Sequence, residues 1–415
     1  MSSNVKKIIA VLSSIILLFV TIVLILLYES DDNILRNWIF KTDDKNVEEQ
    51  ITESEDNEAE VIITPEDEYI KYITPSDDFK KKATREKKDF FCFAGDIFFS
   101  DTVKKGYDTD GIDGILDESY INKINSADLA IANLECSITD NIDNPEDKTF
   151  TFAIPTNYKK VLKELNIDLF TIANNHILDY GVEALNNTIE ELDKMDIAHI
   201  GAGKDIYDAK KAYIKEIDGK RYAIIGASSV LPRESWKARV DNPGVFNAYD
   251  IMSVVEDVKL LRSYFDKIIV YMHWGKELEN TSNELQQKFA HYLVDAGADL
   301  IVGTHSHTVQ EIEYYKGVPI VYSIGNFIYG GQRRDMMMLG AEFDYSESEK
   351  GKLKLYVYPG VSNFQKTRRY WTNEELGLKL SDLQLKSKTC FISELGEVES
   401  MKIYEERMKK EKKEE

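Results

Sequence analysis

What most constrains the fold of this chain is a series of short apolar runs, each closed by a turn residue, that alternates with helical patterns from Asp89 to about residue 360. Seven of the runs read as strands, over 90–94, 129–132, 169–173, 223–227, 268–272, 300–302 and 320–322. Helical spacing of apolar residues marks 157–165, 182–195, 249–265 and 283–296, and Gly297 follows the last of these, as suits a helix C-terminus. Strands interleaved with helices bury their apolar faces only by stacking in layers, so the expected class is α/β. No internal repeat is visible.

Composition narrows the function. The chain has 415 residues, 43% hydrophobic and 30% charged, which is ordinary for a globular protein, but its formal net charge is −21. Nucleic acid is therefore excluded as a partner, because phosphate neutralisation needs a basic face. An anionic ligand is disfavoured too, unless metal ions or a local basic patch invert the field. The plain reading of the acidity is solubility of an exported protein. Cys92, Cys136 and Cys390 are odd in number and widely spaced, so no disulfide framework is expected, and Cys92 and Cys136 read as small core hydrophobes.

Residues 8–27 are uncharged, with only Ser13, Ser14 and Thr21 polar. A helix of ~20 apolar residues spans a ~30 Å hydrocarbon core. Lys6 and Lys7 precede the run and Glu29, Asp31 and Asp32 follow it, which orients the N-terminus to the cytoplasm and everything after Tyr28 outward. A cleaved signal peptide is the competing reading; the run exceeds a usual h-region, and no small-x-small site precedes the acidic stretch. The expected organisation is a cytoplasmic stub and single-pass membrane anchor over 1–28 and a charged extracytoplasmic stalk over 29–88. The main domain then spans 89–345, and a C-terminal extension with a charged tail spans 346–415.

Ionisable and amide side chains gather where the strands end. Asp96 follows the first strand, Asn133 and Glu135 the second, and Asn174, Asn175, His176 and Asp179 the third. His273 leads into HWGKE with Glu277, His305 and His307 stand in GTHSH, and Ser323, Gly325 and Asn326 follow the last strand. The carboxyl ends of strands form the binding crevice of α/β sheets. Asp, Glu, Asn and His together suit Mn²⁺, Fe²⁺, Zn²⁺ or Mg²⁺, and one carboxylate can bridge two ions. A lone histidine is more often structural than a ligand, but four of the six histidines fall in these motifs, whereas His199 and His291 stand apart and read as packing residues.

The strings FAGDIFFSD, ANLE, TIANNHILDYG, YMHWGKE, DAGADLIVGTHSHTVQ and YSIGNFIY, between Asp89 and Tyr329, resemble the CapA/PgsA family of poly-γ-glutamate capsule synthesis proteins, a branch of the calcineurin-like metallophosphoesterase superfamily. The resemblance implies a four-layer αββα sandwich, preceded by one N-terminal transmembrane helix, with one or two divalent metal ions. It implies Asp96, Glu135, Asn175, His273, His305 and His307 as metal ligands and His176 as the histidine that assists the leaving group or contacts the substrate anion. For an enzyme, His176 is expected as a general acid oriented by Asp179, with Asn133 and Asn326 on the substrate. Arg333 and Arg334, in GGQRRD, read either as a bidentate grip on substrate carboxylate or phosphate or as a solvated loop. One departure stands out: Phe98 occupies the position two residues after Asp96 where the superfamily usually carries a histidine ligand.

The function implied is a membrane-anchored protein of poly-γ-glutamate capsule biosynthesis or export with a metal-dependent hydrolase- or transferase-like site. A non-catalytic scaffold of a polymer synthase and a general extracytoplasmic metallophosphoesterase remain the alternatives. The expected partners are the membrane, an anionic polymer such as poly-γ-glutamate or an envelope intermediate, and other capsule synthase subunits.

Overall fold

The computed structural model describes residues 88–370 and 372–414. The anchor expected over 8–27 and all but the last residue of the stalk expected over 29–88 lie outside the described residues. Among the described residues, no helix is long and apolar enough to cross a membrane.

All seven expected strands are present, and they divide between two sheets. The first sheet runs in the order Cys390–Ile392, Glu397–Ser400, Lys352–Asn363, Arg334–Asp344, Asp89–Ile97, Leu129–Leu134, Leu169–Thr171 and Ala198–Ile200, with Asn326–Ile328 and Lys366–Arg369 pairing at its side. Its half from Asp89–Ile97 to Ala198–Ile200 is parallel, as helical crossovers require, whereas Arg334–Asp344 and Lys352–Asn363 form a long antiparallel pair. The second sheet runs Ile312–Tyr315, Val318–Val321, Leu300–Thr304, Lys267–His273, Lys220–Ser228 and Tyr213–Ile217, parallel through its middle. The residues expected as a C-terminal extension thus supply strands to the first sheet.

Side-chain alternation sorts the core into three apolar layers. Phe91, Phe93, Leu129 and Ile131 of the first sheet meet Ile224, Ile269, Tyr271 and Val302 of the second. The opposite face of the first sheet, with Cys92, Ala130 and Ala132, packs under Val103, Tyr120, Leu162 and Leu185 of four helices. The opposite face of the second, with Ile268, Val270 and Met272, packs under Val254 and Val258 of Ile251–Arg262 and Phe289 and Leu293 of Glu284–Ala296. The layering is helices, sheet, sheet, helices. Glu284–Ala296 begins with a capping box between Asn283 and Gln286 and ends at Gly297, whose φ of 117° only glycine adopts readily. All three cysteines are free and buried, and burial pushes the Cys92 thiol up to about 12.

Candidate metal site

The register of each sheet aligns polar residues at the strand ends. In the first sheet Asn326, Asp96, Asn133 and Thr171 stand side by side; in the second, Ser228, His273 and Thr304 do. Asp96 reaches the space between the sheets through an irregularity. Cys92 and Ala94 face the helices, and after a register shift between Phe93 and Asp96 it is Ile97 that faces them. A bulge inserts one residue and so reverses the faces beyond it, which turns Asp96 inward. Gly95 permits the close approach of the neighbouring backbone here: a Cβ there would lie 1.8 Å from the carbonyl oxygen of Gly325.

Within the site, Asn133 holds Asp96. Its amide donates to Asp96 Oδ1 at 2.7 Å, and its own carbonyl accepts from Asn174 Nδ2 at 3.1 Å. The backbone N–H of His305 donates to Asp96 Oδ2 at 3.3 Å. His305 and His307 carry φ values of 89° and 56°, a left-handed turn that non-glycine residues avoid. That turn points both imidazoles at the carboxylates, and Asn326 Oδ1 fixes His307 by bonding its Nδ1 at 2.7 Å.

Two overlapping donor groups result: Glu135, His273 and His305, and Asp96, Glu135 and His307, with the ligand atoms of each group within 4.8 Å of one another. Glu135 belongs to both. It is fully buried, and neither of its oxygens has a hydrogen-bond partner of normal geometry. Burial, then the Asp96 charge, holds its carboxyl well above the usual range, and a contact from the Tyr329 hydroxyl opposes this only weakly. Around His273 Nε2 stand Asn175 Oδ1 at 2.7 Å, His305 Nδ1 at 3.0 Å and Glu135 Oε1 at 3.3 Å. One proton on His273 Nε2 cannot satisfy three neighbours, and a buried carboxylate this short of donors is unfavourable unless a cation compensates it. Thr304 Oγ1, 3.1 Å from His273 Nδ1, can take the proton there and leave Nε2 as a lone-pair donor. The residues therefore fit one or two hard or borderline cations. Burial brings His273 down to about 4 and, with the neighbouring imidazoles, holds His305 well below its ordinary value. Burial alone would lower His307 too, but the Glu135 and Asp96 carboxylates raise it.

His176 stands at the edge of this cluster. Its Nδ1 lies 2.6 Å from Asp179 Oδ2, and Asp179 also accepts from Lys148 Nζ at 2.5 Å and from the Phe152 N–H at 2.8 Å. Lys148, which lies 3.2 Å from His176 Nδ1, was not among the residues expected from sequence. A carboxylate only accepts, so the imidazole proton sits on Nδ1 and goes to Asp179, leaving Nε2 as the free nitrogen, while the Lys148 ammonium donates to Asp179. Burial brings His176 down to about 4 despite Asp179.

A cavity of about 730 Å³ opens over His176, Asn175, His307 and Asn326. Phe98 lines it, stacked on Phe152 at 4.3 Å between ring centroids, and Phe152 in turn lies 4.2 Å from the His176 ring. The position expected for a histidine ligand thus holds part of an aromatic wall, completed by Tyr329. Asn133 is buried among Asp96, His273 and Asn174, and Asn326 both lines the cavity and braces His307. Arg334 lines the cavity, and Arg333 is exposed beside it on a neighbouring one. His199 and His291 lie elsewhere, the first 3.3 Å from Asp193 and the second stacked on Tyr315 and 2.9 Å from Glu313.

The family model of the bacterial capsule synthesis protein PGA_cap matches residues 91–330, which contain both donor groups and His176. The chain belongs to this family. Among its relatives, the PGA biosynthesis protein CapA of Bacillus subtilis is 33% identical over 240 residues, 57% of this chain and 62% of CapA. The capsule biosynthesis protein CapA of Bacillus anthracis is 32% identical over 189 residues, 44% of this chain and 45% of the relative. The chain thus spans less than two thirds of either relative. A phosphatase of known structure from Mycoplasma pneumoniae aligns with a TM-score of 0.43 at 14% identity, over 67% of this chain and 95% of the phosphatase. The PGA_cap span ends before Arg333, Arg334 and the helix Asn373–Lys386.

Proposed function

We propose that this chain is a membrane-anchored, extracytoplasmic member of the PGA_cap family that acts in synthesis or export of poly-γ-glutamate, through a site that binds divalent cations and has a metallophosphoesterase-like arrangement. The observation that carries the reading is Glu135, a buried carboxylate shared by two donor groups, neither of whose oxygens has a hydrogen-bond partner of normal geometry. Asp96, Glu135, Asn175, His273, His305 and His307 would hold the cations, which when bound supply positive charge against an anionic group at phosphorus or an acyl carbon. The apolar run at 8–27 and the names of the relatives support the location and the polymer.

The chain's own chemistry centres on His176. With a pKa of about 4 its ring is neutral near neutral pH, so Nε2 first accepts a proton from the attacking water and then returns it to the leaving oxygen. Asp179 keeps the Nδ1 proton and steadies the imidazolium that forms, and Lys148 anchors Asp179. Phe98, Phe152 and Tyr329 exclude water from one side of the cavity.

Phe98 also favours a second reading, a scaffold that binds metal and polymer without cleaving it, since an aromatic ring cannot ligate where a histidine would. The full chain in detergent separates the two. Elemental analysis measures bound metal, and hydrolysis of phosphoesters and of γ-glutamyl polymer is compared between wild type and His176→Ala. Bound metal with His176-dependent turnover supports the enzyme; metal without turnover supports the scaffold, and neither metal nor turnover overturns the site.

A further inference from the structure

A second cavity, of about 720 Å³, lies beyond the first and shares His307 and Arg334 with it. One wall is the start of the strand Arg334–Asp344; the other is the helix Asn373–Lys386, which lies after residue 330, where the family match ends. Its charged lining is Arg333, Arg334, Lys379 and Lys386 against Asp335 and Asp382. Lys379 pairs with Asp335 at 2.5 Å and Lys386 with Asp382 at 2.9 Å. Among the described residues the two arginines have no carboxylate partner, and Arg334 donates only to the Gln332 amide at 2.8 Å. In a chain of net charge −21, two adjacent guanidinium groups without carboxylates, at the junction of two cavities, are conspicuous.

We infer that this second cavity is a subsite for a linear polycarboxylate chain, gripped by Arg333 and Arg334, whose neighbouring segment extends past His307 into the metal-site cavity. The inference rests on the polymer reading above and names the residues that give it direction. Each cavity alone has the size of a site for one drug-sized molecule, so together they suit an extended ligand. The charge balance selects the class. The lining leaves two positive charges uncompensated, which matches singly charged carboxylates spaced along a chain. Asp335 and Asp382 oppose the denser charge of a polyphosphate. A planar guanidinium matches a carboxylate in bidentate fashion, and an arginine pair offers two such forks.

Fluorescence anisotropy with a labelled ten-residue γ-glutamate oligomer, on the full chain in detergent, tests this. Arg333→Glu and Lys379→Glu are compared with wild type, and Arg333→Lys serves as the conservative control. Arg333→Glu is expected to weaken oligomer binding by at least about tenfold, the scale of one charge-assisted contact, and Arg333→Lys to recover part of it. Binding of free glutamate, too short to span both cavities, should fall far less. Equal oligomer binding by wild type, Arg333→Glu and Lys379→Glu overturns the subsite, and a polyphosphate of matched length that binds as tightly overturns the carboxylate assignment. Metal content of the same preparations keeps the two readings apart. Oligomer binding that depends on Arg333 in a chain that takes up no metal sinks the metal site and leaves the subsite standing.

Discussion

The unit of Lys148, Asp179 and His176 invites a double-mutant cycle. Asp179 is fully buried and accepts three hydrogen bonds, from His176 Nδ1 at 2.6 Å, Lys148 Nζ at 2.5 Å and the Phe152 N–H at 2.8 Å. In Asp179→Asn one carboxylate oxygen becomes an amide N–H₂, which must face a donor, and the Lys148 ammonium, whose side chain is only 16% exposed, loses its counter-charge. Breaking one partner out of a buried pair costs about 3–5 kcal/mol. For a chain of this size that lowers Tm by on the order of 5 °C or more. Lys148→Met leaves Asp179 with two of its three donors and costs about as much again. If the pair is coupled, the double variant is less destabilised than the sum of the singles, by about 1–3 kcal/mol. Thermal melts of the four proteins at one pH and salt give the cycle, and turnover measured alongside should fall in Asp179→Asn, because the amide can hold the wrong imidazole tautomer. Additive singles, with a coupling energy near zero, would refute the view that Lys148 acts through Asp179.

Three further predictions follow from particular contacts. Glu135→Gln should abolish bound metal in elemental analysis yet raise the Tm of chelator-treated protein, because it replaces a fully buried carboxyl, crowded by Asp96 and without a hydrogen-bond partner of normal geometry, by a neutral amide; a lower Tm after chelation would contradict this. Gly95→Ala places a Cβ 1.8 Å from the Gly325 carbonyl oxygen, so it should destabilise the chain by about 3 kcal/mol or more and displace Asp96, read as a lower Tm together with weaker metal retention. Asp257, on the helix Ile251–Arg262, has its pKa raised to about 6, chiefly by burial, with one oxygen unpaired and Lys210 only at 3.7 Å. A carboxyl raised above its unfolded value destabilises the fold above the folded pKa and not below the unfolded one, so Asp257→Asn should stabilise the chain by up to about 3 kcal/mol at pH 7.5 and lose that gain between pH 6 and 4. Melts of both proteins across that range check the sign.

Periodicity alone marked the seven strands that carry the site, because buried parallel strands must be short apolar runs, and the end of each run exposed the polar residue that follows it. The end of Glu284–Ala296 was legible for a local reason too, in Gly297, whereas the cap of Asn283 with Gln286 was not read from the sequence. Lys352–Asn363 was missed although its KLKLYVY alternates at period two, and its antiparallel partner Arg334–Asp344 carries a weaker pattern. The six candidate ligands were legible as residue types at strand ends, whereas Lys148 was not, since it sits in a loop with no pattern and gains meaning only where folding sets it against Asp179.

The sequence by itself determined the layered α/β class, the strands and the ends from which Asp96, Glu135, Asn175, His273, His305 and His307 project. Only the tertiary structure decided that these residues converge. Strand register, the bulge at Gly95 and the left-handed turn at His305 and His307 depend on which strands become neighbours. It also decided that Phe98 stacks on Phe152 in a cavity wall and that a helix from beyond the family span closes a basic cavity beside the site. The physical reason is range. Hydrophobic periodicity is encoded over a few adjacent residues, while a set of candidate ligands is a property of groups as far apart in the chain as Asp96 and His307, brought together by packing two sheets face to face.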